Sequence, residues 1–283
     1  MVTALSGFSL LAVGVKELTD SLSIAQILFY RNLIALLVIS TIIVYKDKTA
    51  FQTRHLKQHA LRNTAHFLGL YGWVFGITYL PLAEVFALEF TTPIWTAIIA
   101  VFLLNEKLKL PRLVSIFLGF VGVMVILRPG IEIIHPASFA VLLGAVGYGL
   151  THVLTKWLSG SDSPLTIIFY MTVIQLPLAL LFSITDWQWP AGIMWMWLVI
   201  IGLCGLFAHF AMSKAMTYAD ANVVVPIDYL RLPLIMLLGY WLYNESVDLY
   251  LVLGAMLMLS GNLIGLSAEK KSSEKKSSDK KSQ

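Results

Sequence analysis

Two apolar stretches carry the residues with the clearest capacity for chemistry. Residues 82–104 contain Glu84, Glu89, Pro93 and Trp95, and residues 220–243 contain Asp228, Tyr229, Arg231 and Pro233. Ionised side chains are costly to hold in such surroundings, so each is a candidate for binding a solute or relaying protons. A proline in mid-helix removes one backbone donor and clashes with the carbonyl four residues earlier. The polar backbone it frees is tolerated at membrane depth only beside a cavity or a neighbouring helix. Glu89, Trp95, Tyr148, Asp228, Tyr229 and Arg231 are therefore the expected substrate-binding set, with Pro93 and Pro233 as helix breaks. Arg31, Glu89, His209 and Asp228 form a second expected set, either for proton coupling or as structural ion pairs. In the structural version Asp228 and Arg231, three apart on one helical face, neutralise each other, and Arg31 reaches Glu89.

The remaining polar residues point less sharply. Glu84 lies near an interface and suits a helix start or gate, while Glu106 and Glu245 mark helix ends as interfacial anchors. His66, His152 and His209 fall in three different apolar stretches, and His55, His59 and His135 in loops. Neither a His-Glu-x-x-His helix nor a Gly-x-Ser-x-Gly elbow is present, so no catalytic residue, metal or cofactor is expected. The single Cys204 reads as a small buried hydrophobe. Tyr71, Trp73 and Tyr170 sit deep enough either to pack or to line a cavity.

Positioning these side chains requires a scaffold that spans a bilayer. The chain is 58% apolar and 13% charged, against about a quarter charged in soluble domains. A soluble fold would need helices apolar on every face. Ten spans are predicted, at 3–19, 23–45, 58–79, 82–104, 112–128, 137–157, 164–184, 192–215, 220–243 and 249–267. Short Pro- and Gly-bearing turns separate them. Trp187, Trp189, Trp195 and Trp197 read as part of an interfacial aromatic belt. The Lys/Arg excess lies in loops and in the tail, residues 268–283, which reads as disordered; no basic stripe points to nucleic acid.

Orientation follows from that excess. With the N-terminus inside, inner loops hold Lys46, Lys48, Arg54, Lys57, Arg62, Lys107, Lys109, Arg112, Lys156 and Lys214, and outer loops only Lys16 and Arg128. The asymmetry places both termini in the cytoplasm. The halves also match each other. At a shift of 140, Lys16, Ser23 and Phe29-Tyr30 align with Lys156, Ser163 and Phe169-Tyr170; at 139, Asn105-Glu106 aligns with Asn244-Glu245 and Glu89 with Asp228. Five spans per half make the second copy cross in the opposite sense, and such inverted repeats place a transporter's site near the midplane. The expected fold is thus all-α, with ten transmembrane helices in two inverted five-helix repeats, residues 1–130 and 136–267. Gly72-x-x-x-Gly76 and Gly261-x-x-x-Gly265 permit close helix approach, within the chain or in a homodimer.

The run Leu80-Pro-Leu-Ala-Glu84, then Phe90-Thr-Thr-Pro93, Leu104-Asn-Glu106 and Gly119-Phe-Val-Gly-Val-Met-Val-Ile-Leu-Arg-Pro-Gly130 resembles the EamA family of the drug/metabolite transporter superfamily. Usual members carry Gly where this chain has Asn105 and Asn244. The resemblance reaches Ser267 and implies ten helices, cytoplasmic termini and transport of small metabolites. The expected function is a secondary transporter in the cell (inner) membrane, moving an amino acid-like or nucleoside/cofactor-like metabolite by alternating access. Export is favoured and uptake is the alternative; a channel or an intramembrane enzyme is a more distant one. The expected partners are a small-molecule substrate and the lipid bilayer.

Overall fold

The computed structural model describes residues 2–104, 110–128, 134–185, 187–218, 224 and 231–281. All regular elements among them are helices. In chain order they are α1 (Val2–Lys16), α2 (Ile24–Lys46), α3 (Leu56–Tyr79), α4 (Leu82–Glu89), α5 (Thr92–Leu104) and α6 (Leu110–Leu127). There follow α7 (Pro136–Leu158), α8 (Pro164–Ser183), α9 (Met194–Tyr218), α10 (Arg231–Tyr243) and α11 (Leu249–Lys281). A short 3-10 turn, Lys48–Phe51, joins α2 to α3.

Ten spans fit this order. Five stretches are long and apolar enough to cross a bilayer: Ile24–Lys46, Leu82–Leu103, Pro136–Leu158, Pro164–Ser183 and Met194–Tyr218. Val2–Lys16, Leu113–Leu127 and Leu249–Gly265 are shorter apolar helices. The 24-residue α3 has the length but carries Lys57, His59, Arg62, Asn63 and His66 in its first half. All but Lys57 of these are buried, so α3 spends its polarity inwards. α4 and α5 are one predicted span, broken in two, and α10 is the second half of the ninth. Outside, Leu37, Phe102, Phe117, Leu143 and Trp241 are broadly exposed, an apolar surface that suits lipid chains and not water.

Local chemistry explains the helix starts. Ser23 and Ser163, the pair matched across the halves, each cap a helix by accepting the N–H three residues on, from Gln26 and Thr166. His135 caps α7 through Nδ1, with Pro136 at the first helical position, where its missing N–H costs nothing. Packing relies on small residues. A methyl added at Gly72 would lie 2.5 Å from the Ala140 carbonyl, and one at Gly144 would lie 2.7 Å from that of Gly69. α3 and α7 therefore meet backbone to backbone. Gly261 likewise packs on Ser115 and Leu118 of α6. The contacts of Gly72, Gly76 and Gly261 are thus accounted for within one chain.

One expectation differs from the structure. His59, expected in a loop, is buried in the first turn of α3, its Nε2 2.7 Å from Asp162 Oδ2.

Candidate substrate cavity

The break between α4 and α5 follows directly from Phe90-Thr91-Thr92-Pro93. Pro93 has no N–H for the carbonyl of Glu89, four residues back, and its ring displaces that carbonyl from the helix. The Thr92 hydroxyl donates to the freed Glu89 carbonyl at 2.6 Å, and Thr91 to that of Leu88 at 2.8 Å. Helix resumes at Thr92. The two threonines make the break tolerable inside the protein, because the Leu88 and Glu89 carbonyls keep hydrogen-bond donors.

Glu89, at the end of α4, faces a cavity that is in part continuous with the surroundings. Its Oε1 accepts from Arg231 Nη2 at 3.0 Å and its Oε2 from Trp73 Nε1 at 2.7 Å. The Arg231 guanidinium lies against the rings of Phe86 and Phe8, 4.6 and 5.0 Å from their centroids. This wall is thus charge-compensated and sandwiched by aromatic faces.

The wall contributed by α2 and α3 is different. Arg31 and Arg62 are each 2% exposed and both line the cavity. Arg62 donates to Thr155 Oγ1 at 2.7 Å and to Asn63 Oδ1, neutral acceptors both. Among the described residues Arg31 has no carboxylate partner, and its Nη1 is enclosed without an acceptor. His66, His209 and Tyr148 complete this side: the His66 ring lies 4.8 Å from His209 and 5.5 Å from Tyr148. Gln175 holds His66 Nδ1 at 2.8 Å.

The cavity runs from mid-bundle towards one end, lined by Arg62, His66, Leu70 and Trp73 of α3 and by the later turns of α7 and α9. The opposite end is tied shut. Glu245, just beyond α10, accepts the first N–H of α4, from Leu82, at 2.8 Å and pairs with Lys16 Nζ at 3.0 Å. Lys16 also reaches the Leu80 carbonyl at 3.4 Å, and Tyr243 bonds Glu17 at 2.9 Å. Glu245 can turn back because Asn244 adopts a left-handed φ of 51°. That conformation explains why asparagine can stand where the resemblance expects glycine. A carboxylate on a helix's first N–H is favoured by the dipole as well as by the hydrogen bond.

Comparison with known proteins agrees with this architecture. Residues 1–128 and again 135–266 match the EamA-like transporter family. The chain belongs to that family. It is 29% identical over 257 residues to the S-adenosylmethionine uptake transporter of Rickettsia prowazekii, covering 91% of this chain and 87% of that protein. It is 32% identical to the riboflavin transporter of Vibrio cholerae, over 80% of this chain and 76% of that one. The riboflavin transporter of Rhizobium johnstonii is 30% identical, over 96% and 91%. A crystal structure of a protein 17% identical in sequence superposes with a TM-score of 0.72, over 95% of this chain and 96% of the other, which shows the shared fold.

In this EamA-family chain the structure gathers Arg31, Glu89, Pro93, Tyr148, His209 and Arg231 around one cavity. Trp95 is not there: it packs on Gly149 of α7 and, edge-on, on Phe120 of α6. Pro233 lies in α10 and is not among the lining residues, and Asp228 and Tyr229 fall outside the described residues. Arg231 and not Arg31 is the ion-pair partner seen for Glu89. Trp73 joins the site, whereas Tyr71 packs on Phe67 and Phe182, and Tyr170 stacks on His59. The residue that sequence reasoning missed is Arg62, which counts as a loop charge there. Its signal was available: Arg62-Asn63 repeats the Arg31-Asn32 dipeptide inside another helix. Among the described residues no group of three or more His, Cys, Asp or Glu gathers to hold a metal ion.

Proposed function

We propose that the protein is a secondary transporter of the cell (inner) membrane, with both termini cytoplasmic, that carries a small polar metabolite by alternating access. The observation that carries this reading is the cavity at the α4–α5 break, reached from one end of the bundle and tied off at the other by Lys16, Glu245 and the α4 N-terminus. With the orientation given by the loop charges, it is an inward-facing arrangement. The helix neighbours support two exchangeable halves. α1 packs on α9 as α3 packs on α7, while α2–α8 and α6–α11 are self-matched pairs, the pattern expected when the first five spans exchange with the last five. Opening the outer end would then require breaking the Lys16–Glu245 tie while the inner end closes.

The relatives' names favour a cofactor-sized solute and uptake over export. S-adenosylmethionine and riboflavin are the first ligands to test. The reading is tested in proteoliposomes with either labelled compound on one side. A carrier gives uptake that saturates and accelerates when unlabelled substrate is preloaded on the other side; flux that rises linearly without counterflow would mean a channel. Chemical conversion of the solute would instead favour an enzyme.

A further inference from the structure

We infer that the transported molecule carries an anionic group, a carboxylate or phosphate, that is received between Arg31 and Arg62. This rests on the carrier reading above and adds to it the chemistry of the cargo.

The argument starts from how this chain treats its other cations. Lys16 faces Glu245, Arg128 faces Asp248 and Arg231 faces Glu89, at 2.7 to 3.0 Å. Buried His59 has Asp162. Arg31 and Arg62 are as deeply buried as Arg231, yet among the described residues neither has a carboxylate within ion-pair distance. A buried guanidinium without a counter-charge is among the costliest arrangements a protein can hold. Neither side chain escapes to an interface, since both are enclosed and line the cavity.

Their surroundings differ. Arg62 is fixed by Thr155 and Asn63. The stem of Arg31 crosses α9 at Gly205, where an added methyl would lie 3.7 Å from Nε. Guanidinium groups suit planar carboxylates and phosphates, which they bind through paired N–H donors. A molecule entering from the open end meets two guanidinium groups that, among the described residues, pair with no acid. The aromatic rings of Tyr148, His66 and His209 beside them can face the remainder of a nucleoside- or amino acid-like body. An anion arriving with the substrate thus supplies the counter-charge that Arg31 and Arg62 lack among the described residues.

The test uses matched pairs on purified full-length protein, read by ligand affinity and by thermal unfolding. S-adenosylmethionine is set against its decarboxylated form, and riboflavin 5′-phosphate against riboflavin, with inorganic phosphate as a separate arm. The member that bears the carboxylate or phosphate is expected to bind roughly tenfold to a hundredfold more tightly than the counterpart that lacks it. Arg31→Gln and Arg62→Gln should abolish that preference, and Arg31→Lys should restore part of it. Without ligand, Arg31→Gln should unfold at the same or a higher temperature than the wild type, because it removes an unpaired charge. A marked loss of ligand-free stability in Arg31→Gln would make Arg31 a structural residue and overturn the inference. Equal affinity for both members of each pair would overturn it too. If those equal ligands still show saturable counterflow, the carrier reading stands while the anion receptor falls. Full stabilisation by inorganic phosphate alone, with no further gain from the organic anions, would assign the site to an inorganic ion and not to the cargo.

Discussion

The two walls of the cavity solve the same electrostatic problem in opposite ways. On the α4–α5–α10 wall, Arg231 faces Glu89, and Glu89 in turn holds Trp73. On the α2–α3 wall, Arg31 and Arg62 have only neutral neighbours among the described residues. A compensated pair is stable with or without a visitor, and so it holds the broken span in place. An uncompensated pair raises the energy of the empty state and favours any visitor that brings the missing charge. One wall is architecture that also lines the site, and the other is recognition.

The comparison is broken most forcefully at Glu89. Glu89→Ala removes the carboxylate that Arg231 Nη2 and Trp73 Nε1 both bond, and is expected to cost about 3 kcal/mol, read by denaturant or thermal unfolding in detergent. Glu89→Gln combined with Arg231→Met should recover most of that stability without recovering transport. If Glu89→Ala is as stable as the wild type, this wall does not hold the break.

Next in size is the backing of the recognition wall. Gly144→Leu drives a side chain into the Gly69 carbonyl across the α3–α7 contact, which should cost about 2 kcal/mol and loosen Arg62 from Thr155. Unfolding temperature and substrate affinity should therefore fall together. By contrast, Arg62→Gln should leave stability nearly unchanged while weakening an anionic substrate by roughly tenfold, about 1.4 kcal/mol of binding. A stability loss as large as that of Glu89→Ala would erase the difference between the walls.

The smallest effect is expected at the closed end. Lys16 and Glu245 are partly solvated, so Glu245→Gln should cost about 1 kcal/mol or less. Its larger signature is kinetic: with Lys16 and the α4 N-terminus held less firmly, cysteine labelling from the outer side should speed up in the cavity. Unchanged labelling would mean that this tie does not govern opening.

How much was legible beforehand depends on range. The ten spans, their turns and the helix break are local matters, visible in apolar length, in Pro93 and in the threonines before it. Ser23 and Ser163 could be matched as equivalents before either was seen to cap a helix. The choice of Glu89 and Arg231 as cavity residues also came from sequence, since charge inside an apolar run is informative wherever it points. Which cation Glu89 selects was not legible. Arg31 and Arg231 were both within reach by depth, and helix rotation chose between them. Trp95 illustrates the same limit: it shares the broken span with Glu89 yet faces Gly149 and Phe120. Arg62 was hidden for the opposite reason, because a charge near a helix end reads as topology unless a neighbouring helix covers it.

The sequence by itself therefore determined a multi-pass membrane chain of the EamA-like family, where it breaks, and which ionisable residues lie at depth. Those properties depend on hydropathy, length and backbone chemistry, which are carried by consecutive residues. Only the tertiary structure decided that Arg231 takes Glu89 while, among the described residues, Arg31 and Arg62 meet no carboxylate. The Glu89–Arg231 pairing is a matter of a few ångströms between side chains 142 residues apart, and no local rule contains that distance.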